Sequence, residues 1–200
     1  FGIEYIGKYK QKGHTYIDIE VEDIDKAAVF NDENRLEKIA DFIIAHHNQK
    51  TFNKEYSAIF AVNSIDNAIQ YYDIFKRKKE AGEHDLRIAT IFTYGANEED
   101  DDAQDYLPGD EDLPMAAELQ VAYLASHTRD KLEEYIEDYN KMYGTKASTK
   151  DSKQFENYFT DISKRLKNRE KETFNPEKDR LDILLVVSMF LTGFDAKKVN

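Results

Sequence analysis

Short continuous apolar runs alternate with segments of helical periodicity along this chain. The runs span residues 56–62, 86–92 and 183–187, and such runs are typical of strands that are buried on both faces. The segment between the first two runs places its apolar side chains at helical spacing: Ile65, Ile69, Tyr72 and Phe75. A strand, a helix and a strand with short connections predict a βαβ unit, and hence a parallel α/β sheet.

The remaining periodic segments predict further helices. Residues 34–47 read as a helix before the first strand, and residues 1–33 alternate in part around a turn near Gly13. About ninety residues separate the second and third strands, which is far more than a crossover needs. After an acidic loop, this stretch predicts three helices: one around Leu119 and Tyr123, one over 132–142 and one over 155–166. We therefore expect a helical insert, at about 96–179, on an α/β core.

Composition narrows the classes of protein that remain. The 200 residues contain no cysteine, which excludes disulfides, thiolate zinc sites, iron–sulfur clusters and cysteine nucleophiles. No apolar run is long enough to cross a membrane. The chain begins with Phe rather than Met, so we expect a piece of a longer, cytoplasmic protein without a membrane partner.

The charge is distributed unevenly. The formal net charge is −12, yet residues 88–128 hold ten acids and no Lys or Arg, so the rest of the chain carries 28 bases against 30 acids. Residues 164–171 are locally basic. Net charge therefore does not exclude a nucleic-acid partner. The helix over 155–171 is either a surface that contacts phosphates or an amphipathic helix with a wet cationic face, and its pattern alone favours the second.

No motif builds a complete active site. The chain lacks both glycine-rich nucleotide loops and the nucleophile elbow of hydrolases. His46 and His47 point about 100° apart on a helix and predict no metal site. Two strand ends remain as candidates, Asn63-Ser64 and the segment 192–195. Backbone N–H groups and hydroxyls can hold phosphate oxygens there, although spacing alone favours two ordinary turns.

Several segments, in order along the chain, resemble one family. The segment Leu-Leu-Val-Val-Ser-Met-Phe-Leu-Thr-Gly-Phe-Asp-Ala at 184–196 closely resembles motif V of the restriction (R) subunit of type I restriction-modification enzymes. Residues 57–68 resemble motif IV, and residues 71–75 continue it. Residues 88–99 resemble the next family strand. Residues 137–140 and 155–165 resemble the family's helical insert. The likeness covers about residues 34–200.

This resemblance implies a fold, a function and partners. The R subunit is an ATP-driven translocase of helicase superfamily 2, with an endonuclease domain before two RecA-like lobes. The chain is then a connecting segment (1–33) and a second RecA-like lobe (34–200, incomplete at its C-terminus), a parallel sheet flanked by helices with a long helical insertion. The implied partners are double-stranded DNA and the methyltransferase (M) and specificity (S) subunits. ATP and Mg²⁺ are the implied cofactors of the full subunit.

The resemblance also implies roles for single residues. Asp195 would approach the nucleotide across the lobe cleft. Four residues would face the DNA backbone: Asn63, Ser64, Thr192 and Gly193. Three residues at the end of the second predicted strand would lie beside the path of the DNA: Thr93, Tyr94 and Gly95. The nuclease carboxylates, the Walker residues and the arginine-bearing motif VI are absent. We therefore predict no catalytic residue and no bound cofactor in this chain, whereas the full subunit would be an ATP-dependent type I deoxyribonuclease.

Two alternatives stay open at the level of sequence. The chain could be the second lobe of another superfamily 2 helicase or remodeller. It could also be a non-enzymatic interaction module in which the acidic run 98–102 mimics DNA phosphates.

Overall fold

The computed structural model describes residues 9–12, 15–18, 32–92, 115–187 and 197–199, with side chains for residues 32–92, 126–187 and 197–199. Strands β1 (Tyr9–Lys12) and β2 (Thr15–Asp18) form an antiparallel hairpin. The turn predicted near Gly13 itself lies outside the described residues. The division of the chain at residue 33 stays a prediction, although the first described helix, α1 (Glu33–Lys50), begins there.

Three parallel strands form the central sheet. They are β3 (Ala58–Val62), β4 (Ile88–Ile91) and β5 (Ile183–Val187), in the spatial order β3-β5-β4. The predicted parallel α/β sheet is thus confirmed, but β3 and β4 are not neighbours. The last strand of the three, β5, lies at the centre of the sheet, with β3 on one side and β4 on the other. Residues 183–186 of β5 are at most 1% exposed, as suits a strand covered on both faces and both edges.

Helices cover this sheet. Helix α1 (Glu33–Lys50) begins at Asp32, whose carboxylate accepts a hydrogen bond from the Arg35 N–H at 2.8 Å. Helix α2 (Ile65–Glu80) begins after Ser64 and is followed by Gly82, whose φ of 78° suits glycine. The apolar stripes of both helices contribute Leu36, Ala40, Ile69, Tyr72 and Phe75 to the core.

The described part of the insert is helical, as predicted, but its first two predicted helices form one. Helix α3 (Met115–Tyr143) is continuous over 29 residues, where the sequence predicted two helices. No Gly or Pro interrupts this stretch, so nothing in it forces a break. Helix α4 (Ser152–Lys167) confirms the third predicted helix, and a 3-10 turn (Asn168–Glu170) and a short helix α5 (Pro176–Asp179) lead back to β5.

Polar contacts fix the insert on the core. Lys76 of α2 binds the carboxylates of Glu134 (2.9 Å) and Asp138 (2.6 Å) on α3. The Tyr158 hydroxyl of α4 donates to the Thr90 carbonyl of β4 at 2.8 Å. The whole forms an α/β, RecA-like architecture, a parallel sheet flanked by helices with a long helical insertion. Within the described residues, no helix is both long and apolar enough to cross a membrane.

Candidate nucleic-acid interface

The C-terminal ends of the three strands meet at one edge of the sheet. Val62 pairs with Val187, and Ile91 pairs with Val186. Because the strands are parallel, the segments that follow them start from this same edge, where ligands bind in open α/β sheets. Had the ends of β3 and β5 lain on opposite edges, a common track for these segments would be excluded.

Only part of the predicted site lies within the described residues. Asn63 and Ser64 follow β3 directly and are described. The other candidates lie outside the described residues, so their assigned places stay predictions: Thr93, Tyr94, Gly95, Thr192, Gly193 and Asp195.

Ser64 is the N-cap of α2. Its backbone is extended, with φ −150° and ψ 160°, and its Oγ accepts a hydrogen bond from the Asn67 N–H at 3.2 Å. Serine is favoured here because its short side chain reaches one of the donors that the helix leaves unsatisfied. The N–H groups of Ile65 and Asp66 have no acceptor within the helix. The Ser64 hydroxyl and these two N–H groups are therefore neutral donors at the sheet edge.

Asn63 is exposed, and a buried neighbour orients its amide. The Asn67 Nδ2 donates to the Asn63 Oδ1 at 2.5 Å, and Asn67 is 3% exposed. No described residue hydrogen-bonds the Asn63 Nδ2, so its two N–H groups are available to a ligand. Sequence analysis missed Asn67, although its spacing of four residues from Asn63 on a helix was a usable signal.

The electrostatics of this edge are mild. Asn63 and Ser64 are uncharged, and exposed Asp66 places a negative charge in the first turn of α2. Neutral donors can position a phosphate oxygen without reading bases. This geometry can therefore hold a phosphate oxygen.

The histidine pair is divided between two environments. His46 lies against the Phe42 ring, with centroids 4.1 Å apart, whereas His47 is buried with its Nε2 3.4 Å from the Asp182 carbonyl. Burial lowers the pKa of His47 below its ordinary value, although the hydrogen bond to Asp182 opposes that shift. In the described part of the chain, no group of three or more His, Asp or Glu side chains could hold a metal ion.

The basic run 164–171 is only partly a solvent-facing surface. Arg165 points inward, where its Nε lies 2.8 Å from an Asp161 carboxylate oxygen and its guanidinium lies 3.7 Å from the centroid of the Tyr143 ring. Arg169 is 4% exposed. Lys164 and Lys167 of this run face solvent on α4, so the wet cationic face consists of lysines and excludes the two arginines.

Comparisons with known proteins point to one family. The family described as "Type I restriction enzyme subunit R domain 3" matches residues 54–200. The type I restriction enzyme SauCOLORF180P endonuclease subunit of Staphylococcus aureus is 39% identical over 201 residues, which cover 100% of this chain and 19% of that protein. The SsaAORF53P endonuclease subunit of Staphylococcus saprophyticus is also 39% identical, with the same coverage. The chain thus spans about a fifth of the length of these relatives.

Proposed function

The chain belongs to the type I restriction enzyme subunit R domain 3 family, and on that premise we propose that it serves as the second RecA-like lobe of an ATP-driven DNA translocase. The full subunit would be the restriction endonuclease, as the names of the relatives say of those proteins. It would act in the cytoplasm on double-stranded DNA, together with a methyltransferase and a specificity subunit. The family match favours this function over another superfamily 2 motor or an acidic interaction module.

One observation carries the DNA-binding part of this proposal. The strands β3, β5 and β4 end at the same edge of the sheet, and the Asn63 amide and Ser64 hydroxyl follow the first of these ends. Contacts from neutral donors to a sugar-phosphate backbone do not depend on sequence. A motor that steps along any sequence needs contacts of that kind.

ATP and Mg²⁺ are proposed as cofactors of the full subunit. ATP binding would favour closure of the two lobes, and its hydrolysis would let them reopen. The described residues contain no set of metal ligands, so they would leave Mg²⁺ to other parts of the subunit. Asp195 is the residue of this chain that we propose for the nucleotide cleft. We expect the chain on its own to show no ATP turnover above background and no DNA cleavage.

An isosteric substitution tests the DNA contact. In the full-length subunit, Asn63→Asp keeps the acceptor for Asn67 but replaces the outward N–H donors by a carboxylate oxygen. Repulsion of a backbone phosphate should weaken binding to a duplex of random sequence about tenfold, a change of about 1.4 kcal/mol. Fluorescence anisotropy measures the affinity, and Asn48→Asp, at an exposed position of α1, controls for the added charge.

A second pair of variants separates the helix cap from the phosphate contact. Ser64→Asn and Ser64→Asp both preserve an N-cap, but only the aspartate repels phosphate. We expect weaker duplex binding for Ser64→Asp alone, with unchanged binding of a fluorescent ATP analogue. Equal affinities for Asn63→Asp, Ser64→Asp and their controls would refute the proposed DNA contact.

A third variant tests the other proposed strand-end contact: Thr192→Val in the full-length subunit should slow translocation while leaving ATP binding nearly intact.

A further inference from the structure

The solvent face of helix α4 carries a stripe of cationic and amide or hydroxyl side chains. The members recur at spacings of four and three residues, which places them along one line of the helix, and all are exposed: Lys153, Asn157, Thr160, Lys164 and Lys167. No Asp or Glu falls on this line. The opposite face consists of buried Tyr158, Ile162 and Leu166. Packing therefore fixes which side of α4 turns outward.

Two lysines of this stripe, Lys153 and Lys164, are not neutralised by neighbours among the described residues. Within the described residues, Lys153 and Lys164 form no ion pair and no hydrogen bond, and the same holds for Lys146 on the loop before α4. Other lysines of the chain are ion-paired: Lys76 binds two carboxylates and Lys78 binds three. The ammonium groups of Lys146, Lys153 and Lys164 are therefore available to a ligand.

The acidic residues near the stripe are few. Asp161 lies at its border, but its carboxylate accepts hydrogen bonds from the Arg165 Nε (2.8 Å) and the Tyr139 hydroxyl (2.6 Å). Glu170 pairs with Lys197 at 3.3 Å. Glu156 is exposed one residue away from Asn157, and it is the one acid of α4 beside the stripe that has no neutralising partner among the described residues. The local balance therefore stays positive.

A hollow of about 360 Å³ adjoins the stripe. Lys146, Asn157, Thr160 and Lys164 contribute ammonium, amide and hydroxyl groups to its lining. Asp161 also lines it, but the Asp161 carboxylate is already bound by Arg165 and Tyr139. The loop that carries Lys146 is held in place by Asn140, whose Oδ1 accepts from the Ala147 N–H (2.9 Å) and the Thr145 hydroxyl (2.7 Å). Because the loop is already ordered, an anion bound there incurs little of the entropic cost of fixing it.

The direction of α4 relates this surface to the proposed DNA track. Tyr158 in its first half contacts Thr90 near the C-terminal end of β4. Just after α4, the Arg169 Nη1 donates to the Leu181 carbonyl at 2.7 Å, before β5 begins. Helix α4 is therefore antiparallel to the strands, and Lys153 lies toward the edge that bears Asn63 and Ser64.

We propose that the stripe and its hollow bind phosphates of the same DNA duplex, as a second backbone contact contributed by the insert. This inference rests on the proposed function, since it requires the lobe to bind DNA. Lys153 and Lys164 are separated by eleven residues, or about 16 Å of helix. Each strand of a duplex presents about five phosphates over that length. Lysines suit such a contact because they neutralise phosphates without selecting bases.

The salt dependence of DNA binding tests the proposal. The test variant of the full-length subunit combines Lys146→Gln, Lys153→Gln and Lys164→Gln. The control variant removes three other exposed lysines, by Lys38→Gln, Lys50→Gln and Lys178→Gln. Binding of a duplex of random sequence is followed by fluorescence anisotropy over a series of salt concentrations. Each lost phosphate contact lowers the steepness of log Kobs against log salt by about 0.9. We expect a loss of about 2 to 3 for the first variant and none for the second.

The outcomes separate this inference from the proposed function. An unchanged slope for the first variant, or equal losses in both variants, overturns the inference. If the unmodified subunit binds duplex DNA and Asn63→Asp weakens that binding while the triple lysine variant does not, the inference alone fails. If the unmodified subunit binds no duplex, the proposed function fails. Loss of assembly with the other subunits at an unchanged slope would assign the stripe to an acidic protein partner and also overturn the inference.

Discussion

Replacing Arg169 should loosen the end of the sheet opposite to the candidate interface. Its guanidinium donates to the Glu55 carbonyl (2.9 Å), the Ser57 hydroxyl (2.8 Å) and the Leu181 carbonyl (2.7 Å), and also to the Lys54 carbonyl. One buried side chain thus joins the segment before β3 to the segment before β5. Burial lowers the pKa of Arg169, although Asp182 opposes this shift.

The expected loss follows from the groups that Arg169→Met leaves behind. A buried polar group without its partner costs about 1 to 3 kcal/mol, and breaking a buried charged contact costs about 3 to 5 kcal/mol. Asp182 keeps its hydrogen bond from the Arg87 N–H at 2.9 Å and its ion pair with Arg180, whose Nε lies 3.0 Å away, so its charge keeps a partner. We therefore expect a local loss of about 3 to 5 kcal/mol.

Backbone strain in the neighbouring loop brings the expected loss of stability toward the lower end of its range, about 3 kcal/mol. Residues 52–54 all have positive φ, at 50°, 56° and 65°, and none of them is glycine. Such a conformation costs roughly 1 to 2 kcal/mol for each residue. Arg169 binds the carbonyls of Lys54 and Glu55 at the end of this stretch. Once those contacts are lost, the stretch can relax and recover part of the strain.

Hydrogen exchange in the full-length subunit measures the loss locally. Peptides that cover 52–58 and 181–187 should lose protection by a factor of about a hundred or more, since each 1.4 kcal/mol is tenfold. Arg77→Gln is the control, because the Arg77 side chain is 59% exposed and Glu37 is its one ion-pair partner among the described residues, which predicts a loss of at most about 1 kcal/mol. Equal protection in both variants, or full protection in Arg169→Lys, would refute the reasoning from a planar, multidentate guanidinium.

Three further changes have expected outcomes that the same exchange measurement checks. Leu185→Ala, at a position with 0% exposure, should cost about 2 to 5 kcal/mol in the sheet. Glu133→Gln should cost about 1 to 2 kcal/mol of stability at pH 7. Burial opposes the ionisation of Glu133, but hydrogen bonds from Ser148 and Thr149 lower its pKa below the ordinary 4.5. The stability that the carboxylate contributes is therefore complete above pH 4.5 and is lost as the pH falls through the folded-state pKa, where the variant becomes as stable as the unmodified protein. Lys76→Met should cost about 0.5 to 1 kcal/mol, a difference that about 1 M salt removes.

Patterns of local sequence predicted the elements of the core well. The run 183–187 coincides with β5, and the other two runs extend one or two residues beyond β3 and β4. An apolar run reports burial on two faces, and burial is what a central parallel strand requires. The order of the strands was not available in the same way, because neighbours in a sheet are set by packing between distant segments. That is why β5 separates β3 from β4 although it follows β4 by about ninety residues and β3 by about 120.

The candidate interface was predictable to the extent that it depends on strand ends. Asn63 and Ser64 were found because they follow an apolar run and precede a helical period. The contribution of Asn67 depends on an amide that is buried only once α2 packs, and a buried polar partner leaves little trace in composition. The same holds for Asn140, which orders the loop before α4 through hydrogen bonds to Thr145 and Ala147.

The basic run 164–171 shows how far periodicity could have gone. Counting charges treats its five cations alike, yet Arg165 lies three residues after buried Ile162, and Arg169 lies three residues after buried Leu166. That spacing places both arginines on the apolar face of α4 or its continuation, and the lysines on the other face. An arginine on an apolar face needs partners that satisfy its donors. Asp161, four residues before Arg165, was visible in the sequence, whereas the backbone carbonyls that Arg169 binds belong to residues more than ten positions away. Helical register therefore separates the cations that brace the fold from those left for a ligand, but it does not identify what the buried ones hold.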